Sequence, residues 1–197
     1  MITEISTVAV EASSIQVNKR EAMRYLGVKE CDEAFDDMYN ECLRIAQEVS
    51  SPKAVYLKTD VSVNGDAVDL GFMQVNSSGL AKNLDGCSQA YVFCATLGIG
   101  MDRRYERLSR ESQARATVFS AVGSAMAEGL CDYVNAKLGD GVFTKPRFSC
   151  GYGDFCISHQ SEILNVLEAQ KRLGVCLTDT CMMVPVKTVT AIIGIRR

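Results

Sequence analysis

The sequence predicts an α+β fold: a single domain over residues 1–197, with a mainly antiparallel sheet packed against long helices. Three observations carry that expectation. Apolar residues recur at helical spacing through two long stretches, 32–49 and 111–138. An Asn64-Gly65 turn separates two strand-like passages, and the chain ends in a β-branched run. The strict strand–helix alternation of a parallel sheet is missing.

Taken in order, Asn18 to Glu21 reads as a capping box opening a short helix that Gly27 ends. A second helix is expected from Asp32, where Phe35, Met38, Tyr39, Cys42, Ile45, Ala46 and Val49 form one stripe before Pro52. Residues 54–63 and 67–75 are expected to be two continuous strands of a hairpin. A short apolar strand over 91–96 runs into Leu97-Gly98-Ile99-Gly100 and a charged helix from Met101 to about Ser109. The longest helix is placed over 111–138, with Ala114, Val118, Ala121, Val122, Ala125, Met126 and Leu130 inward. Arg147 to Phe155 reads as an irregular loop, after which Ser158 is expected to cap one helix running through Leu173. Residues 184–195 close the chain as a strand.

Composition narrows the function classes. Hydrophobic residues at 47% and charged residues at 23% exclude a disordered chain. A formal charge of −3 argues against nucleic-acid binding, which calls for a basic surface. No run of 18 apolar residues predicts a membrane span, and Met1 to Val10 has no signal-peptide pattern, so a cytoplasmic chain is expected. The nine cysteines are odd in number and contain no Cys-x-x-Cys pair, which predicts free thiols serving mainly as small core residues. With His159 as the only histidine, no zinc site is expected.

Candidate chemistry is concentrated in a few places. Gly98-Ile99-Gly100 fails the dinucleotide fingerprint because Arg103 stands where its third glycine belongs, leaving a tight turn. Arg103, Arg104, Arg107, Arg110 and Arg115, interleaved with Glu106 and Glu111, predict a solvated face laced with i,i+4 pairs, or alternatively a docking surface for an acidic protein or a phosphate-bearing cofactor. One histidine and no nucleophile elbow give no catalytic triad. The richest segment is Lys145 to Cys156. Its glycines, aromatics and one guanidinium suit a small ligand: Arg147 for a carboxylate and Tyr152 for stacking on a heteroaromatic ring. A purely structural loop fits these residues equally well.

Arg147-Phe148-Ser149-Cys150-Gly151-Tyr152, followed by Leu177-Thr178-Asp179 and by Met182-Met183-Val184-Pro185-Val186-Lys187-Thr188-Val189, resembles the reactivation domain of cobalamin-dependent methionine synthase in its short stand-alone bacterial form. That family's ligand loop has the pattern Arg-x-x-x-Gly-Tyr-x-x-x-Pro, and Cys156 stands at the position of its proline. Residues 20–27, 83–87 and 93–98 extend the likeness over nearly the whole chain. An acidic residue that long members contribute from their N-terminal region has no counterpart by motif.

The resemblance implies a methyltransferase component of methionine biosynthesis. In that family the domain holds S-adenosylmethionine over cobalamin, which a partner's cobalamin-binding module supplies. An electron from a flavodoxin-like donor then allows the methyl group to restore methylcobalamin. The protein's share of this work is positioning and water exclusion. The implied S-adenosylmethionine contacts are Arg147, Gly151 and Tyr152, with Glu128 on the long helix for the amino group. No catalytic residue and no metal ligand is implied. Two rivals stand beside this: a non-catalytic module that caps a corrinoid protein without turning over S-adenosylmethionine, and a redox protein using Cys150 and Cys156.

Overall fold

The computed structural model describes residues 4–140 and 143–196, and these form an α+β architecture. Five strands make the main sheet: β1 (Ser6–Ala9), β2 (Lys53–Asp60), β6 (Cys87–Thr96), β7 (Phe143–Thr144) and β10 (Thr188–Arg196). They lie in the order β1-β2-β6-β10-β7, every neighbour antiparallel. Strands β3 (Ser62–Asn64), β4 (Ala67–Asp69) and β5 (Gln74–Asn76) form a separate small sheet, and β8 (Cys176–Leu177) pairs with β9 (Met183–Val184).

Helices α1 (Lys19–Leu26), α2 (Glu33–Val49), α4 (Gly100–Glu111) and α5 (Gln113–Gly139) lie on one face of the main sheet. The small sheet with α3 (Ser78–Leu84), α6 (Gln160–Val166) and α7 (Ala169–Leu173) lies on the other. Side chains alternate along each strand, so the sheet feeds two cores. Phe93, flanked across the ladder by Tyr56 and Ala191, faces the long helices. Val92, flanked by Leu57 and Ile192, faces the small sheet.

Several boundaries differ from the sequence reading, each for a local reason. The passage 54–63 is broken at Val61, whose amide bonds Ser88 O, so β2 stays in the main sheet while β3 leaves it. Strand β6 begins at Cys87 rather than 91, because Gln89 pairs with Asp60 and Ile195 and, past an irregularity at Ser88, Cys87 pairs with Arg196. The helix expected through Leu173 is two helices, since Glu168 takes a left-handed conformation (φ 50°) and its carboxylate turns back to Arg172. Ser158 is not the cap of α6. It sits in a single 3-10 turn, and its hydroxyl points to Cys156 Sγ. The C-terminal run divides at Pro185, giving β9 and β10. Helix α1 keeps its expected bounds, although Asn18 caps the Arg20 amide while Glu21 pairs with Arg24.

The arginine-rich helix α4 lacks the expected i,i+4 pairs. Among the described residues, none of Arg103, Arg104, Arg107 or Arg110 joins an ion pair, and Asp102 instead accepts the Val186 amide. Arg115 reaches across to Glu41 on α2. All nine cysteines are free thiols, and Cys42, Cys87, Cys94, Cys131 and Cys150 are buried. No helix among the described residues is long and apolar enough to cross a membrane.

The Ile15–Gln16 segment crosses α5 directly above Gly129. A Cβ on Gly129 would collide with the Gln16 carbonyl oxygen and approach Ile15 Cγ2 to 2.9 Å. Gly129→Ala should therefore displace the chain leading into α1, at an overpacking cost of about 1–3 kcal/mol. Urea unfolding of the two proteins measures this, and the midpoint should fall with the slope unchanged.

Candidate functional site

The loop after β7 is held by two sheet-like bonds, Phe148 N to Ile192 O (3.0 Å) and Ile192 N to Phe148 O (2.8 Å). That pairing fixes the alternation of the segment. Phe148 packs into the small-sheet core, and Arg147 points the opposite way, toward α5. There its guanidinium donates to Asp132 Oδ1 at 2.6 Å and to Glu128 Oε2 at 3.1 Å. Burial by itself would lower the Arg147 pKa; the Asp132 hydrogen bond and the neighbouring acidic charges outweigh it, and the net shift is upward. Arg147 is a fixed cation held by two carboxylates one helical turn apart.

These groups border a cleft of about 370 Å³. Helix α5 contributes Ala125, Glu128, Gly129 and Asp132 as its floor. Gln16 and Asn18, with Glu21 and Arg24 of α1, form one wall; Arg147 and Tyr152 form the other. The missing side chain at Gly129 is what allows the Gln16 backbone to come this close. Small residues on α5 thus create the space, and the charged ones furnish it.

Of the four residues named from the sequence, Arg147, Glu128 and Tyr152 meet at this cleft. Gly151 does not line it. Its φ of +87° turns the chain, and its amide is spent on Phe155 O at 2.7 Å. The Tyr152 amide likewise bonds Ser149 O, which leaves the half-exposed Tyr152 ring as the loop's surface, set edge-on to Phe148 at 6.0 Å. Sequence reasoning missed Glu21, Arg24, Asp132, Gln16 and Asn18. An i,i+4 pair of acids, Glu128 and Asp132, on a helix otherwise rich in small residues was a usable signal. The approach of α1 was not.

The far end of the loop is clamped to the second layer. Asp154 accepts from Ser77 Oγ (2.5 Å), Ser78 Oγ (2.8 Å), Ser78 N (2.7 Å) and Gly79 N (3.1 Å) at the start of α3. These hydrogen bonds, the Ser77 and Ser78 hydroxyls foremost, hold its carboxyl well below the usual range. A stack of rings, Phe148 on Phe155 and Phe155 on His159, fills the space between, so His159 is a packing residue near the start of α6. Cys150 is buried, which pushes its thiol up to about 12, whereas the hydrogen bond with the Ser158 hydroxyl lowers that of exposed Cys156. Both are free thiols.

No family model matches the sequence, and no curated protein matches it. Among solved structures, the crystal structure of the MetH reactivation domain bound to AdoHcy aligns with TM-score 0.71. It shares 11% identity with this chain and covers 97% of this chain and 78% of that one. The two proteins share the same α+β fold.

The Asp154 clamp has a definite pH dependence. A depressed carboxyl pKa contributes fully above the unfolded value of about 3.9, and its contribution is lost as pH falls through the lower folded value. Asp154→Asn should therefore raise hydrogen exchange at the Ser78 and Gly79 amides at pH 6. The wild type should keep those amides protected down to about pH 4.

Proposed function

We propose that this chain, acting as one domain over residues 1–197, is a reactivation component of cobalamin-dependent methionine synthase. In this reading it binds S-adenosylmethionine for the reductive methylation of cob(II)alamin. The corrinoid sits on a partner's cobalamin-binding module, and a flavodoxin-like protein donates the electron. The observation that carries this reading is the convergence of Arg147, Glu128 and Tyr152 on one cleft, in a fold shared with a domain crystallised with AdoHcy.

The residues present suit S-adenosylmethionine in charge and shape. The cleft holds three carboxylates (Glu21, Glu128 and Asp132) and two guanidiniums (Arg24 and Arg147), leaving a net negative charge. The ligand carries the opposite balance, two cationic groups and one carboxylate. A volume of about 370 Å³ lies within the usual range for small-molecule sites, about 300–1,000 Å³. When bound, S-adenosylmethionine supplies a methyl group on a positively charged sulfur.

Roles follow from the geometry. Arg147 spends one N–H on Asp132 and one on Glu128, which leaves donors of its fork for the ligand carboxylate. Glu128, 39% exposed on its side chain, takes the amino group without losing Arg147. The Tyr152 ring covers the adenine, and Gly151 contributes by shaping the turn that presents it. Arg24, ion-paired with Glu21 at the rim and resting on the Tyr25 ring, offers a second anchor for the carboxylate.

A second reading, a module that caps a corrinoid protein without using S-adenosylmethionine, draws on a different observation. Arg147 is already neutralised by two carboxylates, and the amides of Gly151 and Tyr152 are used within the loop. Calorimetry separates the two readings. Saturable binding of S-adenosylmethionine is expected, and no heat at millimolar ligand would leave the capping module.

Binding should be weaker for S-adenosylhomocysteine, which lacks the sulfonium charge, and added salt should narrow the gap. Arg147→Ala should weaken S-adenosylmethionine binding by about tenfold to a hundredfold, the worth of a charge-assisted hydrogen bond. Arg147→Lys should recover only part of this. Equal affinity of a folded Arg147→Ala protein would remove the residue from the site.

A further inference from the structure

A second concavity lies where the start of α4, the first half of α5 and the turn into β10 meet, and it encloses about 380 Å³. Met101 and Phe119, both buried, form its base, with Tyr105 and Val186 at its mouth. Those mouth residues are exposed, Val186 at 59%, so an apolar rim leads into an apolar interior.

The polar end of this cavity is Lys187. Its Nζ donates to Ser124 Oγ at 2.8 Å and Ser120 Oγ at 3.2 Å, both neutral hydroxyls. An ammonium has three N–H donors, so one remains unspent. Among the described residues, no carboxylate oxygen comes within the 4.0 Å of an ion pair. Asp102 acts on Lys187 only from farther off: its Oδ1 accepts the Val186 amide at 2.9 Å, and its buried Oδ2 has no hydrogen-bond partner among the described residues.

The lysine is held in place by its surroundings. Its carbonyl accepts the Leu97 amide at 3.0 Å, and its stem lies on Gly123, where a Cβ would come within 3.1 Å of Lys187 Cε and 2.8 Å of Met101 Cε. Burial lowers the amine's pKa, and distant Asp102 opposes that shift. A cation taken largely out of water whose hydrogen-bond partners are both neutral, with its nearest acting carboxylate at longer range, is incompletely compensated. An incoming anion relieves it.

We propose that this cavity is a binding site for a monocarboxylate with an apolar body. The carboxylate takes the free donor of Lys187, and the body lies against Phe119, Met101, Tyr105 and Val186. Asp102 and Glu106 on the α4 side repel a second negative charge, so the site selects monoanions over phosphates and dicarboxylates. This site is separate from the Arg147 cleft and independent of the S-adenosylmethionine reading.

The test uses 3-phenylpropionate as probe, with ligand-observed NMR and calorimetry on the full chain. Saturable binding is expected, with the neutral 3-phenylpropanamide about tenfold or more weaker because it lacks the charge that Lys187 meets. Lys187→Met should lose the preference for the acid, and Lys187→Arg should retain it. The acid–amide comparison on wild type stands whether or not the Lys187→Met protein folds. Failure of the wild type to bind the acid, equal affinity for acid and amide, or unchanged binding in Lys187→Met would each overturn the proposal.

Discussion

Strand β6 has no side that faces water, and its neighbours are arranged around that fact. Phe93 and Ala95 need one apolar cover, while Val92 and Cys94 need another. Each face buries fully closed side chains, and burying one such residue stabilises by roughly 1.5–3 kcal/mol. Two layers of different construction answer the demand, long helices on one side and a small sheet with short helices on the other. β10 is the second strand of this kind, and both functional candidates are set from it. The Arg147 loop pairs with Ile192, near its middle, and Lys187 is the residue just before it begins.

Helix α5 resolves a conflict between packing and charge. Its sheet-facing side is nearly all small or apolar, yet Glu128 and Asp132 emerge where α1 and the loop converge. Placing carboxylates there is tolerable because Arg147 comes from the opposite edge of the sheet to meet them. Without that guanidinium the two acids, one helical turn apart and partly or largely exposed, would repel each other. The two carboxylates take only two of the guanidinium's N–H donors, so the side chain is held in place while part of its fork stays available.

The sequence revealed the fold class and the long helices because their signals are local. The stripe from Phe35 to Val49 and the small apolar run from Val118 to Leu130 lie within the helices they define. It was less informative where distant partners decide. Val61 breaks a strand because Ser88 is beside it, and no pattern within 54–63 announces that. Helix α3 escaped notice because its seven residues are too short for periodicity, and the carboxylate bonded to its first amides comes from Asp154, 76 residues away. In the cleft, Arg147 and Tyr152 were visible as an unusual cluster in a loop. Glu21 read as part of a capping box and Arg24 carried no signal, and the crossing at Gly129 brings both to the same place.

The strap formed by residues 147–154 is fastened at both ends, and its tip at Tyr152 and Gly153 is exposed. Arg147 is bound to the long-helix layer and Asp154 to the start of α3, while exposed Tyr152 and Gly153 span the gap. Everything after Gly153 includes β10, whose place between β6 and β7 no other segment can take. A backbone cut at Gly153 would thus divide the chain into complementary fragments. Neither piece could close the sheet alone, and each would present to the other an unfilled ladder and an open apolar face. The molecule is in this sense built like a split reporter, in which reassembly of the sheet and restoration of the cleft are one event.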